Sequence, residues 1–367
     1  MNIPFLDLSA SSSKYRHEIN QSISNVISSS EFILGSHLSR FEANYSHFVS
    51  SDWCLGVNSG FDALKLALLA EGIGVNDEVI VPELTFIATW QAVVEVGAIP
   101  VPCPIDPSTF LLDCYQLPSV LTKNTKCIIP VHLYGQACDL NLINDFASCH
   151  SLSVVEDAAQ CHGATYESRR IGSHGNLVCW SFYPGKILGA YGDGGAITGF
   201  SEEHLNFIQS YRNYGSVSKY QHDTNGVNSR LDDIQASILD VKLRYLVNDI
   251  DERMLIASLY QKYLSNISKI ILPSQHTLSS HSWHLYVIRT KYRDQLKSFL
   301  SSKGINTLIH YPKLPFHYSP FQSFYPEDFL PTDIHKYVLS LPIYPGLCNS
   351  QIIYITDSIH EFFDLRT

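Results

Sequence analysis

Three short apolar runs, each set among helical patterns, constrain this chain more than any other feature. Glu78-Val79-Ile80-Val81 ends at Pro82, Cys127-Ile128-Ile129-Pro130-Val131-His132 forms the second run, and Ser153-Val154-Val155-Glu156 forms the third. A strand that reads as a nearly continuous apolar run is buried on both faces, as happens in parallel sheets. A helical pattern from about Leu140 to Cys149 separates the last two runs, and Asp62 to Ala70 is an apolar helix opened by the turn Asn58-Ser59-Gly60. Strands that alternate with helices need crossover connections, so the expected fold is α/β, a mostly parallel mixed sheet between helices.

The flanking regions fill out this plan. Residues 15–50 read as helix interrupted near Gly35, with Ile19, Ile23, Val26 and Ile27 at helical spacing. A long helix from about Leu231 to Met254 or beyond, with Ile234, Ile238, Val241, Leu243 and Leu246 apolar, is expected to act as a spine. Beyond residue 255 the alternation is less regular and prolines gather at Pro312, Pro315 and Pro320. The expected division is a large α/β domain over 1–250 and a smaller α+β domain over 251–367, within reach of a chain of 367 residues.

Charge and cysteine usage narrow the partners. A net charge of −10 argues against nucleic acid, whose phosphates select basic surfaces. Local cations and backbone amides can still bind a small anion. The nine cysteines are scattered and odd in number, and they form no C-x-x-C pair. This fits a reducing cytoplasm better than a disulfide framework or a zinc site, and no metal is expected. The start, Met1 to Leu8, has no basic segment or signal-type apolar stretch, and no apolar run reaches the ~20 residues of a membrane helix. The expectation is a soluble cytoplasmic protein.

The chemistry lies in Ser181-Phe182-Tyr183-Pro184-Gly185-Lys186 and in the Gly189, Gly192, Gly194 and Gly195 that follow. This places one lysine on a glycine-buttressed loop, with a hydroxyl five residues before it. Asp157 ends an apolar run 29 residues upstream (186 − 157). A lysine and a buried acid are what pyridoxal phosphate requires. The amine condenses with its aldehyde, and the carboxylate keeps a proton on its pyridine nitrogen. Gly60 and Phe61 open a helix whose amides can face the phosphate, Ser181 can add a hydroxyl, Phe86 can stack on the ring, and Gln160 can reach its phenolic oxygen. Each has a plainer reading: ordinary capping for the Gly60 turn, core for Phe86, a capping or surface amide for Gln160, a solvated charge for Lys186. Their joint occurrence in one order favours the cofactor.

Over nearly its whole length the chain resembles the sugar-nucleotide aminotransferases of the DegT/DnrJ/EryC1/StrS family, a branch of the fold type I pyridoxal phosphate enzymes. The likeness rests on Pro4-Phe5-Leu6-Asp7-Leu8, Ile33-Leu34-Gly35, Asp77 to Pro82, His132-Leu133-Tyr134-Gly135-Gln136 and Val155 to Gln160. It continues through the lysine loop, Arg212-Asn213-Tyr214-Gly215, Asn228-Ser229-Arg230-Leu231-Asp232 and His310-Tyr311-Pro312. The resemblance implies a homodimer with shared active sites, in which Asn228 reaches the cofactor phosphate of the neighbouring subunit. It also implies substrate contacts from Tyr183, Lys219, Tyr220, Arg230, His310 and Tyr311. The plainer reading of Asn228 and Arg230 is helix capping before Leu231. Two positions depart from the pattern: Phe61 where the family usually has Thr, and Ile187 where it usually has Asn. Lys186 separates the chain from the branch that carries His there and dehydrates sugars through pyridoxamine phosphate.

The resemblance implies transfer of the amino group of L-glutamate to a nucleotide-linked keto sugar. The favoured site is C-3 of a dTDP-3-keto-6-deoxyhexose, giving a dTDP-3-amino-3,6-dideoxyhexose. C-4 of dTDP-4-keto-6-deoxyglucose and a UDP-linked 3-keto sugar are the alternatives. The product's destination stays open between a lipopolysaccharide O-antigen, another surface polysaccharide and a glycosylated metabolite.

Overall fold

A computed structural model describes residues 1–218, 220–325 and 329–365. Seven strands build the central sheet: β1 (Trp53–Val57), β2 (Glu78–Pro82), β3 (Ile99–Cys103), β4 (Thr125–Ile128), β5 (Ser153–Asp157), β6 (Leu177–Ser181) and β7 (Gly195–Gly199). Their spatial order is β1-β7-β6-β5-β4-β2-β3. The pairs from β6 outward to β3 are parallel. β7 runs antiparallel between β1 and β6, with Ile197 opposite Leu55 and Cys179. The sheet is therefore the mixed, mostly parallel one expected.

Both faces of the sheet are covered. Along β6, Leu177 and Cys179 join a core with Leu64, Ile80, Trp90 and Val155, while Val178 and Trp180 join another with Phe41, Tyr45, Phe182 and Leu239. Alternate side chains of a strand point to opposite faces, so these two cores sandwich the sheet. A third core gathers Ile3, Tyr260, Ile288, Leu339, Ile355 and Phe362. It surrounds an antiparallel pair, β8 (Tyr286–Arg289) and β9 (Val338–Leu341), with the helices Arg293–Ser302 and Asn349–Asp364.

Two elements differ from the sequence reading. The second apolar run forms a strand only to Ile128. Pro130 has no N–H to give the ladder, and the chain continues by single contacts, with its carbonyl accepting from Asp157 N at 2.9 Å. The long helix is two, Asp233–Leu243 and Leu246–Leu264. At the break Tyr245 stacks on Tyr15 at 5.0 Å and bonds Glu18, and Arg244 pairs with Glu18 at 2.9 Å, so contacts with the N-terminal helix hold the bend. The first helical region is interrupted before Gly35 as expected, into Arg16–Ser29 and Ser36–Val49; Ile19 and Val26 are buried, while Ile27 is 58% exposed.

All nine cysteines are free; six are buried, Cys114 is half-buried, and Cys149 and Cys348 are exposed. Among the described residues no helix is long and apolar enough to cross a membrane.

Candidate active site

The C-terminal ends of parallel strands are where loops from successive crossovers converge. Here β2 leads into Thr85 and Phe86, β5 ends at Asp157, β6 ends at Ser181 and leads to Lys186, and β1 leads to the helix Gly60–Ala70. These segments enclose a cavity of about 440 Å³. Its wall holds Gly60, Phe61, Phe86, Asp157, Gln160, Ser181, Tyr183, Lys186, His310 and Tyr311, so ten of the residues singled out in the sequence meet in one place.

The helix start is built for close approach. A Cβ on Gly60 would stand 2.6 Å from Ser181 Cβ, and one on Gly195 would stand 2.3 Å from the Ser59 carbonyl carbon. Only glycine lets this turn, the end of β6 and the start of β7 pack together. Ser59 takes the Asp62 N–H on its side chain at 3.1 Å and the Ala63 N–H on its carbonyl at 3.0 Å. That leaves the amides of Gly60 and Phe61 for an anion at the helix N-terminus. Ser229, fully buried, donates to Asp62 Oδ2 at 2.6 Å and accepts the Asn58 N–H at 3.1 Å, which fixes the turn from behind.

Lys186 is half-buried, and its loop is held at several points. Lys186 N donates to Tyr183 O at 2.8 Å, Ala190 N to Phe182 O at 2.8 Å and Tyr191 N to Gln235 Oε1 at 2.8 Å, while Lys242 Nζ donates to Gly189 O. Burial lowers the Lys186 amine from 10.5 to about 8, against the opposing pull of Asp157. Asp157 is 6% exposed, and burial raises its carboxyl pKa. Hydrogen bonds from Thr89 Oγ1 at 2.8 Å and Ala159 N at 3.1 Å, with the charge of Lys186, act in the opposite direction.

Phe86 is 51% exposed, so it is not a core ring; its centroid lies 5.7 Å from that of Tyr311. Gln160 is 4% exposed and neither caps a helix nor faces solvent. Its Oε1 accepts from Tyr134 N at 2.8 Å and its Nε2 donates to Tyr311 Oη at 3.0 Å, which leaves one amide hydrogen for the cavity. His310 Nδ1 lies 2.8 Å from Ser340 Oγ, and burial lowers its pKa to about 4, so it stands neutral.

Three of the singled-out residues lie elsewhere. Asn228 donates to Tyr214 Oη at 2.9 Å, Arg230 donates to Asn213 Oδ1 at 2.8 Å, and Tyr220 is 87% exposed. Neither Asn228 nor Arg230 caps the following helix, whose N-cap is Asp232. Lys219 lies outside the described residues. Sequence reasoning missed Thr85, Thr89 and His284, which also line the cavity; His284 Nδ1 is buried with no hydrogen-bond partner. The only sequence signal for the two threonines was their place beside Phe86.

The residues present fit pyridoxal phosphate. A cradle without room for a Cβ faces two free amides, an exposed ring flanks the cavity, and a depressed lysine faces a buried carboxylate.

The chain is similar to known proteins over nearly its whole length. Residues 13–360 match the DegT/DnrJ/EryC1/StrS aminotransferase family. The dTDP-3-amino-3,4,6-trideoxy-alpha-D-glucose transaminase of Streptomyces venezuelae is 42% identical over 98% of this chain and 96% of its own. The dTDP-3-amino-3,6-dideoxy-alpha-D-galactopyranose transaminase of Aneurinibacillus thermoaerophilus is 41% identical over 98% and 99%. The crystal structure of S. venezuelae DesV in complex with a ketimine intermediate superposes with a TM-score of 0.95, at 40% identity, covering 98% of each chain.

Proposed function

Since the chain belongs to the DegT/DnrJ/EryC1/StrS aminotransferase family, we propose that it moves the amino group of L-glutamate to C-3 of a dTDP-linked 3-keto-6-deoxyhexose. It is a sugar-nucleotide aminotransferase, and its cofactor is pyridoxal phosphate. The observation that carries the reading is Lys186 in the same cavity as Asp157 and Phe86. The C-3 assignment draws its support from the two transaminases of 3-amino sugars at 42% and 41% identity.

When bound, pyridoxal phosphate supplies an electron sink for the carbon that loses its proton. The rest belongs to the chain. The Gly60 and Phe61 amides and the Ser181 hydroxyl would hold the phosphate, and Phe86 would stack on the ring. Asp157 would hold the proton on the pyridine nitrogen, and the spare Gln160 hydrogen would serve the phenolic oxygen. Lys186 Nζ would hold the cofactor through its aldehyde and, as a free amine, would serve as the base and then the acid that moves the proton. A pKa of about 8 leaves a useful fraction of the free amine neutral near pH 7. Tyr183, His310 and Tyr311 border the side open to the sugar nucleotide.

The same reading has the chain act as a cytoplasmic homodimer with 1–250 and 251–367 as its domains. Nine free thiols suit a reducing compartment, the third core lies mostly beyond residue 250, and Asn228 outside its own cavity suits a neighbour's site. The direct test offers dTDP-4-keto-6-deoxyglucose and L-glutamate to the purified enzyme, with and without a 3,4-ketoisomerase. Amino sugar formed only with the isomerase is expected. Product without it would mean amination at C-4, and no product in either case would redirect the search to UDP-linked sugars.

A further inference from the structure

Two hydroxyls stand in line with Asp157. Thr89, fully buried in the helix Ile87–Glu95, lies with Oγ1 2.8 Å from Asp157 Oδ2, and Thr85 Oγ1 lies 2.9 Å from Thr89 Oγ1. A threonine hydroxyl has one proton to give. Thr89 gives its proton to the carboxylate, so Thr85 is the donor to Thr89, and the row points one way, from Thr85 through Thr89 to Asp157.

An ordinary helical threonine turns its hydroxyl toward the carbonyl four residues back. Thr89 instead bonds the Thr85 side chain and an acid 68 residues away in sequence. A β-branched residue near the start of a helix offers the helix little by propensity, which makes the outward bond the better account of it. The second carboxylate oxygen, Oδ1, takes the Ala159 amide at 3.1 Å. With one donor on each oxygen, the carboxylate plane is fixed and its charge is supported without a neighbouring cation in hydrogen-bond contact. Neither hydroxyl titrates in the working range, so the support is the same at every pH at which the enzyme operates.

We propose that Thr89, oriented by Thr85, is the positioning residue that sets the rotation and negative charge of Asp157 toward the pyridine nitrogen of the cofactor. The proposal rests on the reading of Asp157 given above.

The test measures equilibrium binding of two cofactors to the cofactor-free protein, by their absorbance change. One is pyridoxal phosphate. The other is its 1-deaza analogue, which keeps the aldehyde and phosphate but has C–H in place of the ring nitrogen. Thr89→Val is expected to weaken pyridoxal phosphate about tenfold, as loss of one hydrogen bond to a charged group implies. Thr89→Ser should stay within about twofold of wild type, because the donor is kept. Thr85→Val, which leaves the Thr89 donor in place but unoriented, should cost about threefold. With the deaza analogue wild type and all three variants should agree within about twofold, since Asp157 has no nitrogen to meet. An equal loss with both cofactors would mean that Thr89 only supports the fold, and an unchanged Thr89→Val would mean that it does nothing for Asp157; either result overturns the inference alone. A wild-type protein that takes up neither cofactor would overturn the functional reading as well.

Discussion

Lys186 sits where burial and a neighbouring carboxylate pull its amine in opposite directions, and burial wins, which brings it to about 8. A lysine whose pKa is depressed on folding is a cost to stability at any pH below the depressed value. The cost shrinks as pH climbs toward the ordinary 10.5, where both states are becoming neutral. Cofactor-free Lys186→Met should therefore melt a few degrees above the wild type at pH 7, and the gap should close by about pH 10 in thermal unfolding. Lys186→Ala should lose turnover by at least about a thousandfold while still retaining pyridoxal phosphate on dialysis, because the phosphate and ring contacts are untouched. Lys186, Asp157 and Ser181, which line one cavity, could be singled out in the sequence because their residue types suit the chemistry. Gln160 was found, but its burial and its bond to Tyr311 were not, since both depend on segments 151 residues apart. Thr89 could not be found: a threonine on a helix gives no sign of where its one proton points.

At the level of elements, the turn before the helix Gly60–Ala70 leaves no room for a side chain on its glycine. Gly60→Ala would push a methyl against the Ser181 Cβ, neither of which can swing aside. The expected result is pyridoxal phosphate binding weakened about tenfold or more in an absorbance titration, with ~1–3 kcal/mol lost in urea unfolding. Arg212 performs a different task, bringing the helix Ser36–Val49 and β1 together. Its Nη1 donates to Glu42 Oε1 and to the Gly56 carbonyl, both at 2.7 Å, and Glu42 also takes the Gly56 N–H at 2.7 Å. Arg212→Met leaves the Glu42 charge with little compensation and should cost ~3–5 kcal/mol in urea unfolding, with part recovered in the double variant with Glu42→Gln. The elements themselves were mostly legible. Apolar runs located β2 and β5 to within a residue, whereas the bend at Tyr245 has no glycine or proline to announce it and comes from stacking on Tyr15.

For the whole molecule, the placement of Asn228 outside the cavity of its own chain makes a mixing experiment decisive. If sites are shared in a homodimer, Lys186→Ala and Asn228→Ala proteins, each inactive alone, regain activity when mixed. Half the dimers are then hybrids with one intact site of two, so recovery should approach about a quarter of wild type. No recovery after verified subunit exchange would place Asn228 in some other role. The domain-scale pattern of the sheet was legible from alternating strands and helices; the bonds of Asn228 to Tyr214 and of Arg230 to Asn213 were not, because they depend on how the chain folds back between segments 14 and 17 residues apart.

The distribution of thiols turns the chain into its own gauge of opening. Two sulfurs, Cys149 and Cys348, meet solvent, six are buried within the fold, and Cys114 lies between. A mild alkylating reagent should therefore count two rapid reactions in the native protein and nine in denaturant. The buried group is spread over β1, β3, β4 and β6 and the segments beyond, so the order in which those positions become reactive under increasing urea would report which part of the sheet lets go first.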